Sequence, residues 1–274
     1  MFLAMLACSC RTSVSAPSPS SDQTSPFEAD ASCLLSGCED DMTKCFEDVQ
    51  CTEMLQCLTA CGPDQKCAFT CFYVEKLSNA SKNLLRCIEE EGCIKGPEPQ
   101  EECEAPASST LVESFELQDF VGEWYVVRGL SPQYDCWDCQ KMSFGSLVDG
   151  VLDYAYDVKP EANRTSVTFD CSVIPLNGTS SLFSVPYSFQ DAIEGVDTWY
   201  VLDRNADDSA VLIYYCGEND MLKSWYQGAF VMSTTTAVSD ETLEQFENAL
   251  SNSGLGISLD DFCENNLDIC DFEA

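Results

Sequence analysis

DFVGEWYVVRGLSPQYDCWDCQ, residues 119–140, changes character halfway along. WYVVRG (124–129) is aromatic and β-branched, the composition of a strand. SPQYDCWDCQ (131–140) then places two carboxylates, two cysteines and two aromatics in ten positions of the loop that follows. Loops carried on a rigid scaffold are where binding and catalytic side chains concentrate, so this one is a candidate functional rim.

Downstream, KMSFGSL (141–147), VLDYAYDV (151–158), TSVTFDCSVIPL (165–176), SLFSVPYSF (181–189), TWYVLD (198–203), SAVLIYYCG (209–217) and SWYQGAFVMST (224–234) bring the strand count to eight. RNADD (204–208) has turn chemistry between two of these runs and predicts a hairpin. SDETLEQFENALSNSG (239–254) reads as a helix, with Ser239 as N-cap and Gly254 closing it. Eight short antiparallel strands and one helix predict a mainly β chain, an up-and-down barrel with the helix packed outside.

Upstream, Cys33 to Cys103 includes eleven cysteines among helix-favouring residues. Cys57 with Cys61 and Cys67 with Cys71 each sit one helical turn apart, so two antiparallel helices joined through GPDQ (62–65) could be stapled by two rungs. The chain therefore divides into a leader and linker (1–30), a small disulfide-rich α-helical domain (31–103), a linker (104–117), the barrel with its helix (118–254) and an acidic tail (255–274). The tail is expected to be solvated, with Cys263 and Cys270 as available tethers.

Composition narrows the function. With 47 acidic against 13 basic residues the net charge is −34, which excludes nucleic acid as a partner because phosphate binding needs Lys and Arg. Histidine is absent, so histidine triads and histidine metal sites are excluded and any response to pH must reside in carboxylates. Without imidazoles, the onset of such a response is expected at a lower pH than in a histidine-triggered protein. Nineteen cysteines favour an oxidising compartment and disulfides, with cysteine-only zinc sites as the rival reading. If a leader removes Cys8 and Cys10, 17 cysteines remain, an odd number that leaves one thiol over. MFLAMLACSC (1–10) is too short to span a bilayer and fits a signal or transit segment, and Asn79, Asn163 and Asn177 head glycosylation tripeptides.

Gly122, Glu123 and Trp124 form the GxW of lipocalins. The longer run DFVGEWYVVRGLSPQYDCWDCQ resembles the lipocalin core of violaxanthin de-epoxidases, whose pattern reads roughly DFxGxWYxxxGLxPxFDxFDCQ. DTWYVL (197–202), IYYCGEND (213–220) and the opening ASCLLSGC of the cysteine module continue the likeness over residues 33–235. The resemblance implies an acid-activated enzyme of the chloroplast thylakoid lumen that removes epoxide oxygen from xanthophyll carotenoids with ascorbate as reductant; a secretory route is the alternative destination. It implies Asp197 as catalytic acid and Tyr215 as its partner, with Asp135 and Gln140 at the substrate site, and Cys139 as the family cysteine of the loop. The disulfide candidates are Cys33, Cys38, Cys45, Cys51, Cys57, Cys61, Cys67, Cys71, Cys87, Cys93 and Cys139; Cys136 is extra and is expected to pair with Cys171 or Cys216, or to remain a thiol. Gly195 and Met232 stand where the family has site tyrosines.

The chemistry follows from burial. An epoxide opens most easily when its oxygen is protonated as the C–O bond breaks, and a carboxyl kept neutral by an apolar cavity is a suitable donor. Trp199 and Trp124 are expected among the substrate-binding residues, Trp124 across the barrel floor, and Tyr134, Trp137 and Tyr214 are candidate lining. Tyr214 and Tyr215 are adjacent on one strand, so at most one faces the cavity. Three functions remain open: a reductive de-epoxidase, an epoxy-carotenoid isomerase, and a lipocalin that binds a carotenoid or other apolar ligand without turning it over. Acid would also lessen repulsion from a second copy of the chain and from a membrane surface, so a homodimer and the thylakoid surface are candidate partners.

Overall fold

A computed structural model describes residues 28–61, 67, 70–71, 77–95, 103–132, 134–159, 167–176, 180–189, 193–219 and 224–270. The leader segment 1–27, the GPDQ turn, and the tripeptides at Asn163 and Asn177 lie outside the described residues.

Eight strands form the barrel: β3 (Gly122–Gly129), β4 (Cys139–Phe144), β5 (Leu152–Lys159), β6 (Val167–Pro175), β7 (Leu182–Phe189), β8 (Ile193–Arg204), β9 (Ala210–Asn219) and β10 (Ser224–Ser233). Each pairs antiparallel with its sequence neighbour, and β10 closes the sheet on β3 with Phe230 opposite Gly129 and Ser233 opposite Tyr125. The predicted hairpin after β8 forms, Asn205 N–H donating to the Ala210 carbonyl at 3.0 Å. Closure removes the exposed edges that an open sheet of this size would present.

The closed end is an aromatic plug. Phe115, Phe120 and Phe183 meet edge to face, with Phe115 and Phe120 centroids 4.7 Å apart, and the Trp124 indole N–H donates to the Phe120 carbonyl at 2.6 Å. Phe115 and Leu117 thus belong to the barrel core, and the 104–117 stretch expected as a linker is anchored there instead. Cys103 extends that anchorage through its disulfide to Cys216 on β9.

Outside the barrel, the helix Asp240–Ser253 (here α5) is capped by Ser239, whose side chain accepts from Thr242 N–H, and ends on left-handed Gly254. Its Phe246 and Leu250 pack against Leu212, Tyr214 and Val231, the outward side chains of β9 and β10.

The N-terminal module has four described helices, α1 (Ala31–Gly37), α2 (Glu39–Glu47), α3 (Val49–Cys61) and α4 (Asn79–Glu91), and two short paired strands, β1 (Glu28–Ala29) and β2 (Ile94–Lys95). Ser81, Leu84, Leu85 and Ile88 of α4 recur at helical spacing and are buried. Five disulfides do the rest: Cys33–Cys93, Cys38–Cys87, Cys45–Cys51, Cys57–Cys71 and Cys61–Cys67, the last two being the expected rungs. The sulfurs of Cys57, Cys61 and Cys71 lie within 4.8 Å of one another, but each is committed to a bridge, which removes the zinc reading there.

The tail departs from expectation. Cys136 bridges to Cys263 rather than to Cys171 or Cys216, and Cys139 bridges to Cys270. The tail is consequently held along the rim at the mouth end of the barrel. β3 pairs with β4 only through Gly122–Tyr125; nearer the mouth its Arg128 and Gly129 pair with a short strand β11 (Cys263–Glu264) from the tail. Charge did not decide the tail's position because two covalent bonds outweigh the solvation preference of a few carboxylates. Among the described residues, Cys171 is the cysteine outside the eight disulfides, a buried thiol.

Candidate active site at the barrel mouth

β3, β5, β7 and β9 run toward the mouth, so their last residues and the first residues of β4, β6, β8 and β10 surround it. Tyr215 follows Tyr214 on β9 and therefore points to the opposite face. Tyr215 joins the interior core, whereas Tyr214 faces α5 and hydrogen-bonds to Gln227 Oε1 at 2.9 Å.

Asp135 lies in the loop after β3 and is 5% exposed. Its Oδ2 accepts from Ser131 N–H and its Oδ1 from the Tyr215 hydroxyl, both at 2.9 Å. Burial pushes its carboxyl up to about 8; the Ser131 and Tyr215 hydrogen bonds pull it down, and the charge of Asp197 adds to the rise.

Asp197 lies on β8 opposite Gly217 of β9. It is half-buried, and burial of its carboxyl pushes it up to about 7, against hydrogen bonds from Tyr226 and Trp199 that favour the charged form. A Cβ at Gly217 would collide with both the Asp197 carboxyl and the Tyr226 hydroxyl, so the absence of a side chain there lets the pair meet. Burial thus raises both carboxyls well above the usual carboxylate range, so groups other than histidine can change charge near neutrality here.

Gln140 is fully buried; its amide donates to the Tyr134 carbonyl and the Tyr156 hydroxyl, each at 2.6 Å. Its oxygen accepts from Asn265 Nδ2 at 2.8 Å, and the same Nδ2 reaches the Asp135 carbonyl at 2.8 Å. A tail residue therefore completes the hydrogen bonding of two site residues. Trp199 lies one layer deeper, its ring 5.4 Å from that of Phe230 and 5.9 Å from that of Tyr154.

The structure thus brings Asp135, Gln140, Asp197, Trp199 and Tyr215 together at the mouth. Trp124 is set apart at the closed end, where it plugs the floor instead of facing the polar groups. Trp137 is buried in the core of the helical module, in a cluster that includes Leu84 and takes in Val158 and Tyr156 of β5. Met232 is an interior core residue. Tyr226, Tyr187, Tyr156 and Asn265 were missed. Tyr226 shares a strand face with Gly228, Phe230 and Met232, so counting by twos from Met232 would have found it; Asn265 carries no comparable signal. An open cleft of about 590 Å³ between α5 and residues 109–110 lies on the outer surface, remote from these groups.

The family model of the VDE lipocalin domain matches residues 30–266. The chain is 26% identical over 257 residues to violaxanthin de-epoxidase, chloroplastic, of Arabidopsis thaliana, an alignment that covers 88% of this chain and 53% of that protein. It is 28% identical over 236 residues to the Spinacia oleracea protein of the same name, covering 81% and 48%. The chain spans about half the length of these curated relatives. Among solved structures, lobster apocrustacyanin A1 is 13% identical with a TM-score of 0.47, covering 62% of this chain and 91% of that one. Insecticyanin of the tobacco hornworm Manduca sexta is 17% identical with a TM-score of 0.47, covering 61% and 86%. No described helix is long and apolar enough to cross a membrane.

Proposed function

The chain belongs to the VDE lipocalin domain family, and from that premise we propose that it is an acid-favoured xanthophyll de-epoxidase that uses ascorbate. The observation that carries this reading is the pair of inward carboxyls, Asp135 and Asp197, each raised by burial to near neutrality and each met by a tyrosine hydroxyl. Removing an epoxide oxygen as water and leaving a C=C bond requires two protons and two electrons. Two neutral carboxyls match the two protons. Asp197, on the barrel wall, protonates the epoxide oxygen as the first C–O bond breaks, with the bond's electron pair passing to oxygen. Asp135, held by Ser131 and Tyr215, is the second acid, and Tyr215 can hydrogen-bond the departing oxygen. Ascorbate supplies the two electrons. Neutral carboxyls also suit an anionic reductant, which ionised ones would repel, so acid favours both donation and reductant binding.

Gln140 positions the loop bearing Asp135, and Trp199 with Phe230 offers apolar contact for a polyene end. The chloroplastic names of the curated relatives support a plastid location, with the thylakoid lumen as the acidic compartment this chemistry needs. A second reading is a carotenoid-binding lipocalin without turnover, favoured by Gly195 and Met232, which stand where the family has site tyrosines.

Incubation with violaxanthin at pH 5, with and without ascorbate, separates the readings by chromatography. De-epoxidised product only with ascorbate is expected. A rearranged epoxide without ascorbate would indicate isomerisation, and pigment retained unchanged would indicate binding alone.

A further inference from the structure

Tyr226 and Tyr187 lie beyond Asp197 in a chain of hydroxyls. Tyr226 on β10 donates to Asp197 Oδ1, and the hydroxyls of Tyr187 and Tyr226 are 3.1 Å apart. A phenol has one hydrogen. Tyr226 uses its own on Asp197, so the second bond runs from Tyr187 to Tyr226 whenever Asp197 is ionised. Both residues are half-buried, and the Tyr226 ring rests against Tyr134 at 5.2 Å and Tyr215 at 6.2 Å. Tyr187 reaches this position because its cross-strand partner is Gly195: a Cβ there would collide with the Tyr187 hydroxyl and ring.

We propose that Tyr226, backed by Tyr187 lying over Gly195, is the positioning pair of Asp197, stabilising the carboxylate that remains after Asp197 gives up its proton. This rests on the donor role proposed above. As charge develops on Asp197, the Tyr226 bond strengthens, and the bond from Tyr187 polarises Tyr226 in the same direction. No electron moves in this step, and the proton lost by Asp197 is the one gained by the substrate oxygen. The titratable groups facing Asp197 are Tyr154 on β5, Tyr187 on β7, Tyr215 on β9, Tyr226 on β10 and Asp135 from the β3–β4 loop. The phenols stay neutral throughout, which leaves Asp135 as the one other group that changes charge with it.

The test is the titration of Asp197 in the full chain, followed by NMR of carboxyl-labelled aspartate and assigned by its loss in Asp197→Asn. Tyr226→Phe removes a hydrogen bond to a charged group and should raise the midpoint by about one to two pH units. Tyr187→Phe should raise it by less, in the same direction. Gly195→Ala should reproduce the Tyr187→Phe shift by displacing the ring, and combining the two should add nothing. A midpoint unmoved or lowered in Tyr226→Phe overturns the proposal. If that variant does not fold, an unmoved midpoint in Tyr187→Phe, or additive shifts from Tyr187→Phe and Gly195→Ala, does so. Shifts as expected in a wild-type protein that never turns over violaxanthin reject the enzyme reading and leave the pair standing. Turnover lost in Asp197→Asn with unmoved midpoints does the reverse.

Discussion

Asp135 and Asp197 couple the site to stability as well as to chemistry. Their folded-state values of about 8 and about 7 lie above the usual 3.8, so between roughly pH 4 and 8 the folded chain holds protons that the unfolded chain releases. Stability is therefore fullest below about pH 4 as far as these groups are concerned, and it declines as the pH rises through their folded values. The urea midpoint should fall from pH 5 to pH 8, and Asp135→Asn should flatten that slope; a midpoint that rises with pH in wild type contradicts the assignment. Under the proposed function, Asp197→Asn should cost about 10²–10⁴ in turnover, measured as product formed at pH 5, while pigment binding persists. Asp197, Tyr215, Asp135 and Gln140 were legible because short motifs carried them. Tyr226 and Tyr187 were not, since their partnership spans β7, β8 and β10 and depends on glycines whose meaning appears only when the strands are in register.

At the scale of elements, the eight strands were legible because alternation of inward and outward residues is written into each one. The two rungs joining Cys57 to Cys71 and Cys61 to Cys67 were legible from helical spacing, since Cys57 with Cys61 and Cys67 with Cys71 each sit one turn apart on a helix face. The tail was not, because which cysteine meets Cys263 and Cys270 is a question of tertiary geometry on which spacing is silent. Its consequence is Asn265, whose amide serves the carbonyls of Val126 and Asp135 and the oxygen of Gln140. Asn265→Ala should lower stability by about 1–3 kcal/mol, the penalty of buried acceptors left without a donor, read from the denaturant midpoint. On β10, a methyl group at Gly228 would collide with the Tyr215 hydroxyl and ring. Gly228→Ala should therefore destabilise by about 1–3 kcal/mol and displace Tyr215 from Asp135, seen as a changed tyrosine fluorescence or NMR signature.

Over the whole molecule, Trp137 is a main link between the two modules: it comes from the barrel's β3–β4 loop and is 1% exposed in the core of the helical module, where Val158 of β5 also packs, and the Cys103–Cys216 disulfide adds a covalent tie. Trp137→Ala should cost about 3–5 kcal/mol and split a single thermal transition into two, observed by calorimetry. The charge of −34 acts on association rather than on fold. Sedimentation between pH 7.5 and 5 should show self-association growing as carboxylates are neutralised, and an unchanged monomer throughout would remove the dimer from consideration. The tail's attachment to the rim has one more implication. Because Cys263 and Cys270 are each bolted to the rim through Cys136 and Cys139, a protease that cut between them would liberate no fragment. The clipped protein would keep every atom, gain one water, and differ by one broken peptide bond in the segment that carries Asn265.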